Sequence, residues 1–358
     1  MATTDRRDAI RVGLIGFGLA GKVFHAPLIA ATPGMRLASI VTSDPGRRES
    51  AHAAYPQASV LPSVDDLWSG PSELDLIVIG TPNSSHVPLA RAALERGLAV
   101  VIDKPMAPSA AEGQRLVEEA ESRTLLLTVF QNRRWDGDYL TFRRLLAEGV
   151  LGDVVRFESR FERWRPTVSR DAWRERAEPN GAGGLLFDLG AHLIDQAVQA
   201  FGPPTHVYAE VERRRPGAEV DDDSFVAMRH PGGTLSHLWM NAIAGIRAPR
   251  MRVLGLLGSF QKHGLDVQEE ALSNGMRPGD PEWGHEPPDA WGTLQVGGET
   301  RTVQTEPGAY EAYYAGLAEA MRSNGPPPVD PRDSVQCLRI IETAFESAKT
   351  GAVVPFEP

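Results

Sequence analysis

R-V-G-L-I-G-F-G-L-A-G, residues 11–21, is the stretch on which the reading of this chain turns. RVGLI is a short, mainly apolar run of the kind that forms a strand buried on both faces. Three glycines follow it in the spacing G-x-G-x-x-G: Gly16, Gly18 and Gly21, with Phe17, Leu19 and Ala20 between them. Alone, that spacing is a weak signal, because glycines fall this way by chance. Directly after a strand and at the opening of a helix it has a definite physical meaning. Gly16 allows a tight turn, Gly18 lets the backbone approach a pyrophosphate, and Gly21 lets helix and strand pack closely. The helix N-terminus then faces the phosphates with unpaired N–H groups. The stretch predicts the first strand–helix–strand unit of a dinucleotide-binding domain.

Outward from it, apolar runs at 36–42, 74–80, 98–102 and 124–130 read as further buried strands. Helical patterns near 21–31, 86–96 and 109–122 lie between them. Gly97 stands where a helix-ending glycine belongs, and Ser109 with Glu112 makes a capping box. The alternation predicts an α/β chain whose residues 1–127 form a doubly wound Rossmann domain. After about residue 150 the period changes to two. In 153–163, Val155, Phe157 and Phe161 alternate with charged residues, and 205–212, 224–230, 234–240 and 251–257 behave similarly. Residues 128–358 therefore read as an α+β domain with a large, mostly antiparallel open sheet for substrate binding and oligomerisation. Helices are expected near 185–200, 309–322 and 333–349, the last packing back toward the Rossmann domain. The segment 262–307, rich in Gly, Pro and acidic residues, reads as an extended excursion.

The 358 residues suffice for two domains with proper cores. A net charge of -10 argues against binding nucleic acid or an anionic membrane, both polyanions. The single Cys337 excludes an internal disulfide and a Cys-cluster metal site, and reads as a small buried residue in a helix. No cluster of ligands for a metal is apparent. MATTDRRDAI, at the start, lacks the apolar stretch of a signal peptide, and no apolar run reaches the roughly 20 residues that span a bilayer. The expected location is the cytoplasm.

Ligands of open α/β sheets bind beyond the carboxyl ends of the strands. Those ends here carry the glycine turn, Thr42-Ser43, Thr81-Pro82-Asn83, Asp103-Lys104-Pro105 and Gln131-Asn132-Arg133-Arg134. Lys104 on that rim is placed to stabilise negative charge developing on a substrate oxygen. Within 183–196, GGLLFDLGAHLIDQ, Asp188 and His192 are spaced i,i+4, so an α-helix would put them on one face. The carboxylate would then orient an imidazole suited to proton transfer near neutral pH. At the adenine ribose the signals are mixed. Ser43 stands where NAD-preferring folds carry an acid, and Arg47 and Arg48 could reach a 2′-phosphate. Asp44 would favour NAD if it points at the ribose; the arginines favour NADP if it turns outward.

The set GFGLAG, TPNSSH, DKP and GGLLFDLGAHLIDQ resembles the glucose–fructose oxidoreductase / inositol dehydrogenase / MocA (Gfo/Idh/MocA) family over essentially the whole chain. GFGLAGKVFHAPLI, FQNRRWD, RWRP, AWRE and DLGAHLIDQ look like its branch of NADP-dependent scyllo-inositol 2-dehydrogenases. The resemblance implies that Lys104, Asp188 and His192 surround the reacting carbinol, and that Thr81, Pro82, Asn83 and His86 run along the nicotinamide half of the cofactor. Asp103 replaces the glutamate usual before the Lys-Pro pair. Arg133, Trp135, Arg165, Trp173 and Arg174 match positions near the substrate pocket. The expected reaction is hydride transfer between NADP or NAD and a secondary alcohol of a cyclic polyol or sugar, in a homo-oligomer paired through the second sheet. The same chemistry on another sugar or sugar-derived ketone stays open. A non-catalytic dinucleotide-sensing regulator would be expected to lose the lysine or the histidine, and both are present.

Overall fold

The computed structural model describes residues 9–70, 73–169, 173–178 and 181–357. Six strands, β1 (Ile10–Ile15), β2 (Met35–Val41), β3 (Ser59–Leu61), β4 (Leu76–Ile79), β5 (Ala99–Asp103) and β6 (Leu127–Phe130), form a wholly parallel sheet. Their order is β3-β2-β1-β4-β5-β6, so the winding reverses between β1 and β4 and opens a crevice at their carboxyl ends. Alternate side chains feed two cores. Leu76, Val78, Ala99 and Val101 enter one, while Ile77, Ile79, Val100 and Ile102 enter the other. The edge strand β3, three residues long with Ser59 exposed and Val60 and Leu61 half-covered, was not among the expected strands.

Ser109 caps as read, accepting from the Glu112 N–H at 3.2 Å and starting the Ala110–Ser122 helix, while the Glu112 carboxylate accepts from the Ser109 hydroxyl at 3.4 Å. Gly97 takes the left-handed conformation after the preceding helix. The helix expected at 21–31 instead opens as a π-helical turn, Ala20–His25, before the α-helix Ala26–Ala31. The core of the parallel sheet also draws on residues far beyond 127. The Glu311–Ser323 helix buries Tyr313, Tyr314 and Leu317, with Tyr310 just before it, in the same core as β1, β2 and β4. That face of the parallel sheet needs cover, and the late helix supplies it.

The second sheet has nine strands: β7 (Val154–Glu162), β8 (His206–Glu212), β9 (Asp223–Arg229), β10 (Leu235–Asn241), β11 (Met251–Gly255), β12 (Gly258–Lys262), β13 (Gly292–Val296), β14 (Glu299–Val303) and β15 (Val354–Pro355). The order is β14-β13-β12-β11-β7-β10-β9-β8-β15, antiparallel except between β7 and β10. The excursion expected over 262–307 is therefore a correction: it contains β13 and β14, paired as a hairpin. Gly297 and Gly298, both at positive φ, make its two-residue turn.

One face of this sheet buries Phe157, Phe161, Val226, Met228, Leu238 and Met240 under the Ala191–Phe201 helix and the Pro331–Thr350 helix. The latter joins both units: Cys337, Ile340 and Ile341 enter this core, and Val335 and Leu338 enter that of the parallel sheet. The other face carries Arg156, Arg160, Tyr208 and Glu210, with Phe225, His237 and Trp239 beside them. The Arg160 guanidinium lies 3.9 Å from the Trp239 ring centre. Among the described residues no helix is long and apolar enough to cross a membrane.

Candidate active site

The glycine turn has the backbone its spacing demands. Gly16 lies at φ +98°, and a Cβ there would sit 2.5 Å from the Gly80 carbonyl oxygen. A Cβ on Gly21 would meet the Gly16 carbonyl oxygen at 2.0 Å, so only glycine lets the turn close on itself. At Gly18 a Cβ would meet only the Arg47 guanidinium, at 3.6 Å, and would intrude on the space above the loop. That space is a groove of about 600 Å3 at the switch point. Gly16, Phe17, Gly18, Leu19, Ala20, Ser43, Arg47, Thr81, Pro82, Asn83, Asp103 and Lys104 all line it. A cradle of glycine backbone at strand ends fits a dinucleotide.

Other predicted cofactor residues take supporting places. Gly21 packs beneath the turn, and Arg48 is tied to the Ser43 carbonyl at 2.6 Å. His86 is buried between the Pro105 carbonyl, 2.8 Å from Nδ1, and the Thr81 carbonyl, 2.9 Å from Nε2, so it ties two strand-end loops together. Asn83 donates to the carbonyls of Gly181 and Ala182, both at 3.1 Å, and joins the groove to the second unit. Asp44 is exposed and caps the Pro45–Ala54 helix, accepting from the Arg47 N–H at 2.8 Å.

Beside the groove a cavity of about 180 Å3 lies between the units, lined by Lys104, Arg133, Arg165, Arg174, Asp188 and His192 among others. Lys104 Nζ donates to Asp188 Oδ1 at 2.8 Å and also to the Asp188 carbonyl. Arg174 Nε lies 3.4 Å from the same Oδ1. Burial opposes the Asp188 charge, but Lys104 and the flanking arginines outweigh it and hold the carboxyl below the usual range. His192 makes no hydrogen bond among the described residues, and its Nδ1 is fully buried. Burial, with Lys104 and Arg133 nearby, pushes its pKa well below the ordinary value, so the ring is neutral.

The expected Asp188–His192 hydrogen bond is thus absent, and the local backbone explains it. Leu186–Gly190 is a π-helical turn, with the Ala191 N–H reaching back to the Leu186 carbonyl, so α-helical i,i+4 spacing does not apply. Asp188 serves Lys104 instead. Asp221 secures the turn by accepting from the Leu186 N–H at 2.8 Å, and burial raises its pKa to about 6. Sequence reasoning did not find Asp221.

Arg133 lines the cavity while bonded to Tyr310 at 2.9 Å and Glu269 at 2.5 Å. Trp135 does not reach it. Its indole packs edge-on against Tyr313, at 5.8 Å between ring centres. The Trp173 side chain lies outside the described residues. Arg163 and Glu269, both missed from sequence, complete the lining.

A nucleotide-sized groove at a Rossmann switch point, opening onto a polar cavity of the second sheet, defines a two-domain nicotinamide-dependent oxidoreductase. "Oxidoreductase family, NAD-binding Rossmann fold" matches residues 10–131, and "Oxidoreductase family, C-terminal alpha/beta domain" matches residues 143–356. The chain belongs to the Gfo/Idh/MocA oxidoreductase family. It is 44% identical to the oxidoreductase YdgJ of Escherichia coli K12, over 97% of this chain and 99% of that one. It is 35% identical to IolW of Bacillus subtilis, a scyllo-inositol 2-dehydrogenase (NADP(+)), over 98% and 97%. The solved structure of the oxidoreductase YvaA of B. subtilis superposes with a TM-score of 0.90 at 34% identity, covering 97% of this chain and all of that one.

The buried histidines make stability depend on pH with a defined sign. Burial lowers His25, whose Nδ1 contacts the Tyr314 hydroxyl at 2.7 Å, from 6.5 to about 4, against the pull of Asp103. Between those values the unfolded chain binds more protons than the native one, so stability falls as pH falls. We expect His25 alone to remove about 3 kcal/mol over that window. Denaturant unfolding at stepped pH tests this, and His25→Gln should flatten the slope by about one proton.

Proposed function

We propose that this enzyme transfers hydride between NADP and a secondary alcohol of a cyclic polyol or sugar, or catalyses the reverse ketone reduction. The observation that carries this reading is the meeting of Lys104 with Asp188 and His192 in a cavity that shares Leu19, Ala20, Asp103 and Lys104 with the cofactor groove. The Gly16–Gly21 turn would hold the pyrophosphate, Thr81, Pro82, Asn83 and Asp103 the nicotinamide half, and Ser43 and Arg47 the adenine ribose. His86 and Pro105 support that loop pair, and Arg48 supports the end of β2. Bound there, the nicotinamide accepts or supplies the hydride.

The chain's own residues manage the proton and the charge. Neutral His192 takes the hydroxyl proton in oxidation and returns it in reduction. Lys104 donates a hydrogen bond to the substrate oxygen and stabilises negative charge forming there. Asp188 holds the ammonium in place. Arg133, Arg165 and Arg174 position the substrate. scyllo-Inositol is the first substrate to test, because the relative IolW acts on it; another sugar or sugar-derived ketone is the alternative. A reaction that draws on a nicotinamide pool agrees with the cytoplasmic location expected from sequence.

Lys104→Ala and His192→Ala should each lower kcat by about 10²–10⁴-fold while nucleotide affinity, read by fluorescence titration, stays close to wild type. Near wild-type turnover in either variant would remove the assignment. For the cofactor, Asp44 is committed to its helix cap and Arg47 overhangs Gly18. We expect kcat/KM with NADP to exceed that with NAD by at least about tenfold, and Arg47→Ala to erase most of the difference. A tenfold preference for NAD would hand the ribose to Asp44. The aromatic and charged outer face of the second sheet is proposed as the oligomer interface, so light scattering should give a multiple of 38.9 kDa. A mass of one chain at micromolar concentration would refute it.

A further inference from the structure

The cavity beside the groove holds more positive than negative charge. Lys104, Arg133, Arg163, Arg165 and Arg174 line it, against Asp103, Asp188 and Glu269. The acids are already engaged. Asp188 serves Lys104 and Arg174, Glu269 serves Arg133, and Asp103 accepts from the Lys104 N–H at 2.8 Å. Arg163 is left over. Its guanidinium is largely buried, yet it forms no hydrogen bond or ion pair among the described residues. Burial and neighbouring Arg165 weaken its hold on its proton, against the pull of Asp188.

Arg163 and Arg165 alternate around Trp164 where the chain runs on from β7, so both project to one side. Their N–H groups are anchored on the carbonyls of Asn241 and Ala242 at 2.9 and 2.8 Å. Both also line an adjoining cavity of about 120 Å3 that shares Arg174 and Asp188 with the first. Two acids there are spent elsewhere: Glu175 lies 3.4 Å from Arg215, and Asp221 accepts from Leu186 and Ser224. Neither arginine lines the cofactor groove, so the pyrophosphate is not their partner. A largely buried guanidinium that no carboxylate directly pairs is costly, and a ligand anion would lower that cost.

We infer that the substrate carries an anionic group, a carboxylate or a phosphate, which Arg163 receives together with Arg165 on the far side of the reacting carbinol. The inference rests on the proposed function and narrows its substrate class from neutral polyols to acidic ones. Arginine forks match both anions bidentately.

The test uses the full-length protein saturated with NADP. kcat/KM is measured for glucose, glucuronate and glucose 6-phosphate, and for myo-inositol and its 1-phosphate. Binding of acetate and inorganic phosphate is followed by calorimetry in parallel. At least one anionic probe should exceed its neutral parent by about 10–100-fold, and the carboxylate and phosphate arms identify which anion the site takes. Arg163→Met should collapse that ratio and abolish binding of the simple anion, while Arg163→Lys restores part of both. Turnover of neutral compounds with no anionic advantage overturns this inference and leaves the proposed function standing. Anion binding lost in Arg163→Met without turnover of any alcohol supports the subsite and overturns the proposed reaction. Simple anions that bind neither form, or bind both equally, overturn the subsite.

Discussion

The ion pair between Lys104 and Asp188 is the constraint on which the site depends. Lys104 directly follows β5 of the parallel sheet, and Asp188 lies on the π-helical turn that leads into the Ala191–Phe201 helix of the second unit. Both side chains are largely buried, at 12% and 22% exposure, so neither sheet can shift without stranding a charge in a poor solvent. The rest of the seam enforces the same register. Asn83 reaches the Gly181 and Ala182 carbonyls, Arg134 bridges Asp195 and Asp333, and the Pro331–Thr350 helix enters the cores of both units. Donors held this firmly require little reorganisation when charge develops on a substrate.

That commitment also separates the protonation states of the groups around the cavity. Asp188 spends its charge on Lys104 and Arg174 and remains an anion. His192 has no hydrogen-bond partner for its ring among the described residues, and burial, with Lys104 and Arg133 nearby, keeps it neutral. The two π-helical turns, Ala20–His25 and Leu186–Gly190, both contribute to the lining of the cavity. Leu19 and Ala20 come from the approach to one, and Asp188 and Leu189 from the other. An extra residue in a helical turn changes where side chains aim, and here both turns occur where aim matters.

The parallel sheet was legible because its strands are apolar on both faces and its glycines have one steric reading. β3 was not, since three residues carry no period. The β13–β14 hairpin did have a signal, the Gly297-Gly298 pair between alternating residues, but the polar composition around it masked the strands. The place of the Glu311–Ser323 helix in the first core is a long-range fact that no local pattern encodes. In the site, strand-end position singled out the glycine turn and Lys104, and i,i+4 spacing singled out Asp188 and His192. The fold brings Lys104, Asp188 and His192 to one cavity. Their partnership was not legible, because i,i+4 spacing presumes an α-helix. Trp135, expected near the pocket, packs against Tyr313, and Arg163, which lines the cavity, carried no signal, for a related reason. An aromatic near a site and an arginine in a strand look the same in sequence whether they face a cavity or a core.

Asp44 shows most directly how a residue's meaning depends on the bond it makes. Read as a letter after β2, it is the acid that would accept from ribose hydroxyls and repel a 2′-phosphate. In the fold, Pro45 starts a helix immediately after it, and the carboxylate turns to the unpaired N–H groups of the first turn, bonding Arg47. Its charge then offsets the helix dipole instead of facing the groove. The same turn brings the Arg47 guanidinium over Gly18, where the backbone leaves room for a phosphate. One local structure, the helix cap, therefore occupies the Asp44 carboxylate and sets the Arg47 guanidinium beside Gly18. The proposed preference for NADP rests on that geometry, and not on whether an acidic residue is present in the sequence.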